Sequence, residues 1–236
     1  TLVVDGRLAF MGGINLQEDH VTRPSGLPIR DYHFEVEGPA VLQLQYTFLQ
    51  DWYCMTDEDP DILMQPDHFP PAPSAGPLQT RLVNSGPTHP SETGLDSVFA
   101  LITAARRQLL IVTPYFVPAT DILRAIRLAA LRGVDVRVIV PAVSNHFYAG
   151  WAGRALYEEL MLAGVRLYER RPPFIHAKAM VIDDLAALVG TTNLDLRSLR
   201  VNYESNLVIF GETFINALKR LVLEDLAASD EVRLED

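Results

Sequence analysis

The 236-residue chain has one cysteine, Cys54, which excludes an internal disulfide and is compatible with a reducing compartment. It has no apolar run near the roughly 20 residues that span a bilayer. The nearest, Leu109 to Phe116, is interrupted by Pro114 and has the length of a buried strand. No His/Cys/Asp/Glu group shows metal-ligand spacing, with His20, His33, His68, His89 and His146 scattered. Basic residues are few: 20 Lys and Arg face 30 Asp and Glu, a net charge of −10. That balance argues against a nucleic-acid partner and offers no general attraction to an anionic membrane surface. The 48% of hydrophobic residues suffices for one sizeable core or two small ones.

What the chain does contain is a repeat. In Phe174-Ile175-His176-Ala177-Lys178-Ala179-Met180-Val181-Ile182-Asp183, a His and a Lys interrupt an otherwise apolar stretch. Gly190 and Asn193 follow Asp183 by seven and ten residues, and Gly12 and Asn15 follow Asp5 by the same intervals. The offset is 178 residues at all three positions, and it also aligns Val3-Val4 with Val181-Ile182 and Leu16 with Leu194. Run backwards, it sets the counterparts of His176 and Lys178 at positions −2 and 0. The expectation is a two-copy catalytic protein cut inside its first copy, in keeping with the absence of an initiating Met. A β-hairpin with an Asp-Gly turn explains the apolar parts of each copy. It does not explain His176 and Lys178, which share one face because strand side chains alternate; burying an ammonium without an anionic partner is strongly unfavourable.

His-x-Lys-x-x-x-x-Asp followed by Gly-x-x-Asn, in two copies, resembles the phospholipase D superfamily, whose members join two such motifs in one active site. Phosphodiester cleavage or exchange needs a nucleophile, a proton donor for the leaving oxygen, and positive charge around the phosphoryl oxygens. Histidine serves as either of the first two. Lys178 suits phosphate oxygens as a compact charge, and the amides of Asn193 and Asn15 can donate to the same oxygens. Such donors supply about a few kcal/mol each to the transition state. The resemblance implies a phosphohistidine on the first-motif His and His176 as general acid, with the near symmetry leaving the reverse assignment open. Asp183 and Asp5 complete the motif copies. Asp183, an odd number of residues from His176, points elsewhere and is expected to be structural.

A catalytic His needs a group that holds its tautomer. Glu204 and Asp31 stand where family members carry such a carboxylate, with an ordinary exposed acid as the equal alternative. Their spacings from the motif differ between the copies. Arg170, Arg171, Arg197 and Arg200 flank the second motif and are candidates to surround a phosphate; solvated surface is the alternative for the first two, and a carboxylate pair for Arg197.

Further segments narrow the resemblance. Arg30-Asp31-Tyr32-His33-Phe34-Glu35-Val36-Glu37-Gly38-Pro39, Ser85-Gly86-Pro87, Thr113-Pro114-Tyr115-Phe116-Val117-Pro118 and Gly190-x-x-Asn193-x-Asp195-x-Arg197-Ser198 resemble bacterial cardiolipin synthases. That implies transfer of a phosphatidyl group from one phosphatidylglycerol to another with release of glycerol, without metal or cofactor. It also implies upstream membrane segments, a location at the bacterial inner membrane, and a catalytic part outside the bilayer. Thr191-Thr192 departs from the pattern, since a Ser often follows the glycine. The missing first His and Lys predict little turnover by residues 1–236 alone. Two alternatives stand: another phosphodiesterase of the superfamily, either lipid hydrolase or nuclease, and a noncatalytic binding relic.

The fold class expected is α/β, with two similar phospholipase D-type halves, each a mixed, largely parallel sheet flanked by helices, and the active site at their interface. Residues 1–56 are the remainder of the first half, 57–90 a Pro-rich linker with eight of the sixteen prolines, and 91–236 the second half. In the first half, a hairpin over Leu2 to Gly12 and a strand over Tyr32 to Glu37 precede a helix from about Pro39. Val41, Leu44, Phe48, Leu49 and Trp52 mark its core stripe. Helices over Thr93–Arg107, Asp121–Arg132 (N-cap Thr120), Tyr148–Ala163 and Thr213–Ala228 alternate with strands over Leu109–Phe116, Val134–Val140, Val165–Tyr168, the motif and Tyr203–Phe210. Tyr115, Phe116, Phe147, Tyr148 and Trp151 are candidates for a lipid entrance, against core packing as the alternative.

Overall fold

The structure, a computed structural model, describes residues 1–16, 29–87, 89 and 92–234. His20 and the boundary at Pro90–Ser91 lie outside the described residues.

Strands β1 (Leu2–Val4) and β2 (Leu8–Gly12) form the expected hairpin, turning at Asp5 (φ 51°) and Gly6 (φ 62°). β3 (His33–Glu37) pairs antiparallel with β2 and completes a three-stranded sheet. Helix α1 (Ala40–Thr56) starts directly after Pro39, where the fixed proline φ suits a first turn, and ends at Asp57 in the left-handed region. A short helix α2 (Pro60–Leu63) follows, capped by the Asp59 side chain.

Strand β4 (Gln79–Ser85) and helix α3 (Thr93–Ala104) lead to β5 (Gln108–Val112), β6 (Phe116–Val117), α4 (Thr120–Leu131) and β7 (Asp135–Pro141). Helices α5 (Phe147–Arg154) and α6 (Tyr157–Leu162) precede β8 (Arg166–Arg170), β9 (Ala179–Ile182), β10 (Ala186–Gly190) and β11 (Leu194–Asp195). Helix α7 (Leu196–Arg200), strand β12 (Glu204–Phe210), helix α8 (Glu212–Ala227) and strand β13 (Ser229–Glu231) close the described chain. The main sheet runs β13-β8-β7-β5-β9-β10-β12-β4.

Side-chain alternation through this sheet builds two cores, one on each face. Leu109, Ile111, Met180, Ile182, Ala186 and Leu188 face a layer of α3, α4 and α6. Leu110, Val112, Ala179, Val181, Ala187 and Val189 face α8 and the first half's Ala9, Met11, Val41 and Leu44. The central strands are therefore apolar on both faces, as strands covered by helices on each side must be. Each fully buried large side chain here contributes about 1.5–3 kcal/mol.

Four expectations change. The sheet is mixed but not largely parallel: β5–β7 and β7–β8 run parallel and the other five pairings antiparallel, because the β9–β10 hairpin enters the centre. The segment expected as a linker is partly built into the sheet: Gln79–Ser85 pairs residue for residue with Phe210–Glu204, at the edge of the second half's sheet. The single helix expected over Tyr148–Ala163 is two, α5 and α6. Helix α4 is preceded by Ala119 rather than capped by Thr120, a shift of one residue.

Candidate active site

Main-chain pairing between the halves positions the site. The Arg30 N–H donates to Phe174 O at 2.9 Å and the His176 N–H to Arg30 O at 2.7 Å. This parallel bridge ties Arg30 to Ile175. Asp31, next in sequence, then faces His176: its Oδ2 lies 2.9 Å from His176 Nδ1, with the carboxylate 2% exposed. Gly13 O also stands 3.1 Å from Nδ1. Both groups only accept, so Nδ1 carries the hydrogen. Nε2 is left as the ring nitrogen that accepts from Lys178 Nζ at 3.1 Å; the 3.0 Å approach of Nζ to Nδ1 is then a contact rather than a hydrogen bond.

Lys178 is buried and also donates to His176 O. Burial lowers its pKa to about 8, against Asp31, Glu204 and Asp195, whose charges pull it back up. Ala177 between the two motif side chains points into the core.

A buried ion cluster fixes the bridge. Asp225 accepts from Arg30 Nε (3.2 Å), Tyr32 OH (2.6 Å) and Arg170 Nε (3.0 Å), joining first-half and second-half residues. Arg170 is thereby committed to a carboxylate, not to a phosphate. Arg171 binds Asp230, Arg197 binds Asn202 and Arg200 binds Glu92. None of the four lines the cavity at His176, which corrects the expected arginine cluster.

That cavity, about 430 Å³, draws on both halves: Gly12, Gly13 and Asn15 from the first, His176, Lys178, Asn193 and Glu204 from the second. Gly13 is required there, because a Cβ would lie 2.1 Å from Asp31 Oδ1. The two motif glycines occupy equivalent places in the sheets. Gly12 pairs with His33, and Gly190 with Asn206. Counting back two residues from each partner gives Asp31 and Glu204, so the register makes these carboxylates equivalent despite unequal spacing in sequence. Glu204 accepts from the Thr191 hydroxyl and from Asn202 Nδ2 at 3.3 Å. Burial raises its pKa, opposed by these donors, by Ser198 and by the charge of Lys178.

Asn193 donates through Nδ2 to Ser198 Oγ at 3.2 Å, while its Oδ1 is buried with no partner among the described residues. Asn15 is exposed at the cavity edge. Asp5 and Asp183 do not line the cavity. Both sit in hairpin turns at positive φ (51° and 52°), so the repeat extends to backbone conformation. The Asp183 carboxylate accepts from the N–H groups of Arg106, Arg107 and Gln108 at 2.9, 2.8 and 2.7 Å, a structural task.

A family described as "Cardiolipin synthase, PLD-like domain" matches residues 98–226. The chain belongs to this cardiolipin synthase family of phospholipase D-like domains. It is 34% identical to cardiolipin synthase of Clostridium perfringens over 99% of its own length and 50% of that protein's. It is 37% identical to cardiolipin synthase of Geobacillus kaustophilus (99% and 47%) and 36% to cardiolipin synthase A of Pseudomonas putida (100% and 48%). The chain thus spans about half the length of these curated relatives. Among solved structures, its fold is similar to Nuc of Salmonella typhimurium, a phospholipase D family member (TM-score 0.59, 21% identity, 66% of this chain, 99% of that one). NucT of Helicobacter pylori is likewise similar (TM-score 0.55, 23% identity, 66% and 100%).

Around this cardiolipin synthase-type site, the expected aromatic entrance divides. Phe116 is buried core. Tyr115 packs edge-on against His176 at 6.4 Å and against His146 at 5.5 Å, and its hydroxyl donates to Asn145 at 2.8 Å. Tyr148 stacks on His146, and exposed Phe147 meets exposed Trp151 at 5.3 Å. Helix α1 departs from its expected stripe. Val41, Leu44 and Leu49 are buried, but Phe48 and Trp52 are 51% and 43% exposed and stack on each other, with Phe48 lining the cavity. The sequence reading missed Thr47, Asp51 and His89, which also line the cavity. Their one sequence signal is a Thr and an Asp on the helix face that carries Leu44. Among the described residues, no helix is long and apolar enough to cross a membrane, and no group of three or more His, Cys, Asp or Glu is arranged to hold a metal ion.

Proposed function

We propose that the protein is a phosphatidyltransferase that joins two phosphatidylglycerol molecules into cardiolipin and releases glycerol. The observation that carries this is His176, oriented by Asp31 from the other half beside a buried Lys178, in a chain whose relatives are named cardiolipin synthases. In the first step, the imidazole of the first-copy His expected ahead of Thr1 bonds to phosphorus. The bond from phosphorus to the glycerol oxygen breaks, and His176, as imidazolium, gives its Nε2 proton to that oxygen. In the second step, a hydroxyl of the acceptor lipid attacks phosphorus, the phosphorus–nitrogen bond breaks, and neutral His176 takes the hydroxyl proton. The tautomer assigned above, with Nδ1–H on Asp31 and Nε2 unprotonated, is the one the second step needs once Nε2 exchanges Lys178 for the hydroxyl.

Lys178 and the amides of Asn193 and Asn15 would balance charge on the phosphoryl oxygens, Asn193 by releasing Ser198. Glu204, equivalent in register to Asp31, would orient the first-copy His as Asp31 orients His176. Asp5 and Asp183 would set the turns. The partner is a phospholipid at the bacterial inner membrane, reached by segments outside residues 1–236, with the catalytic part outside the bilayer and neither cofactor nor nucleic acid required.

The test is the full-length protein and its His176→Ala variant in phosphatidylglycerol vesicles, with mass spectrometry of the lipids. Cardiolipin from the parent alone is the expected result. Phosphatidic acid in its place would make the enzyme a hydrolase, and no lipid turnover would overturn the reading.

A further inference from the structure

Helix α5 reverses the usual order of a surface helix. Phe147, Tyr148 and Trp151 share one face and are 61–68% exposed. Ala149, Gly150 and Gly153 make the opposite face. A Cβ on Gly153 would stand 2.8 Å from Phe116 O in β6, and one on Gly150 would stand 3.2 Å from Ser144 Cβ. Small residues thus let the helix settle closely onto the second half, while its three large rings point away from the core. Exposed Val143, just ahead of the helix, lines the same shallow depression as Phe147 and Trp151. Core packing does not account for these side chains, and a contiguous exposed apolar patch marks a contact surface.

Two observations say what meets this face. The first is its continuity with the site. Tyr115 packs against His176 at 6.4 Å and against His146 at 5.5 Å, His146 stacks on Tyr148 at 5.5 Å, Tyr148 meets Phe147 at 5.8 Å, and Phe147 meets Trp151 at 5.3 Å. A phospholipid whose phosphate reacts at His176 keeps its acyl chains in the bilayer, so the bilayer surface must come within one lipid's length of that imidazole. The row of rings leads from His176 to such a surface. The second observation is charge. No Asp or Glu occurs between Asp135 and Glu158, in a chain that has 30 of them. Arg154 at the end of α5 is neutralised by both oxygens of Glu169, at 2.9 and 3.1 Å. A chain of net charge −10 is repelled by an anionic bilayer, and α5 offers a face free of that repulsion.

We infer that α5 seats the catalytic part on the membrane, lying in the headgroup layer of a phospholipid bilayer with Phe147 and Trp151 reaching the acyl chains. This rests on the lipid reading above and adds to it a membrane contact made beside His176 by the catalytic part itself. Trp and Tyr suit the boundary between wet headgroups and apolar chains, and a helix with one apolar face lies in that plane. A headgroup then reaches His176 without its lipid leaving the bilayer.

The experiment puts full-length protein in vesicles of phosphatidylcholine and phosphatidylglycerol and follows tryptophan emission. The difference between the parent and Trp151→Phe isolates the emission of position 151. The expected result is quenching of that emission by phosphatidylcholine brominated near the top of its acyl chains, and not by iodide in the water. Quenching by iodide alone overturns the contact. Quenching by neither also overturns it, because protein then covers α5. Turnover is read in the same vesicles with soluble dihexanoyl phosphatidylglycerol added, the long-chain and short-chain products being told apart by mass. Phe147→Ser combined with Trp151→Ser lowers the ratio of long-chain to short-chain product on the order of tenfold, because only capture from the bilayer is weakened. An unchanged ratio, or loss of both products together, overturns the inference. A parent without turnover on either lipid removes the transferase reading itself, while the quenching at position 151 is read without turnover.

Discussion

Asp31 Oδ2 lies 2.9 Å from His176 Nδ1 although 145 residues separate them, and a main-chain bridge one residue away on each strand enforces the contact. The carboxylate belongs to the first half and the imidazole to the second. The site therefore depends on how the halves dock as much as on the motif itself.

Gly13 is the tightest point of that docking, and Gly13→Ala is expected to fold yet lose activity. The added methyl would meet Asp31 Oδ1 at 2.1 Å and push the carboxylate from the imidazole. Turnover by the full-length protein should fall by up to about 10⁴-fold, as when a His-orienting carboxylate is disabled. Asp31→Asn should reproduce that loss. Gly76→Ala, where a methyl meets nothing within 4 Å, is the control and should be silent. A fully active Gly13→Ala enzyme would mean that Asp31 does not orient His176.

Lys178 gives a pH signature in the isolated chain. Its folded pKa is about 8 against an ordinary 10.5, so below pH 8 both states carry the proton and the cost of burying the charge is fully present. Between pH 8 and 10.5 the unfolded chain holds the proton that the folded chain has released, so stability rises with pH. That difference amounts to about 3 kcal/mol. Lys178→Met should therefore gain stability over the parent below pH 8, with the gain shrinking to nothing near pH 10.5. Urea titrations across that range decide it. For the same reason, attraction for a phosphate should weaken as pH passes 8.

Asp225 joins Arg30 and Tyr32 of the first half to Arg170 of the second. Asp225→Ala strands two guanidinium groups, one of them only 10% exposed, and should cost about 3–5 kcal/mol in urea unfolding. Because Arg30 carries the bridge that presents Asp31, turnover should fall as well. A variant as stable as the parent would show that the cluster contributes nothing to docking.

These contacts mark the limit of what the sequence displays. His176 and Lys178 were legible because polar residues in an apolar strand need a reason, and the helices and apolar strands because their periods are clean. The equivalence of Asp31 and Glu204 was hidden: the loops from Gly12 and Gly190 to these carboxylates differ in length, and only the sheet register restores it. Strand β4 was masked by its neighbours. The stretch from Leu78 to Gly86 has no proline but lies between Pro77 and Pro87, so its composition was averaged into a linker. Periodicity placed Phe48 and Trp52 on an apolar face but could not say that both are half exposed and that Phe48 lines a cavity. Arg170 beside the motif looked free for phosphate because its partner, Asp225, is 55 residues away.

Asp183 separates a structural from a catalytic reading of the motif. Burial alone would raise its pKa, but three backbone N–H donors outweigh that and leave it lowered from 3.8. A carboxylate lowered in the folded state contributes stability that is present above the unfolded value and is lost as pH falls through the folded one. The parent should therefore lose stability on acidification below about pH 4 more steeply than Asp183→Ala does. At neutral pH the variant should be about 2–4 kcal/mol less stable, since the turn would leave three N–H groups at the start of β5 without their acceptor. Turnover per folded molecule should stay near that of the parent, because Asp183 lies outside the cavity. A variant of parental stability with turnover down 100-fold would reverse the assignment and return Asp183 to the chemistry.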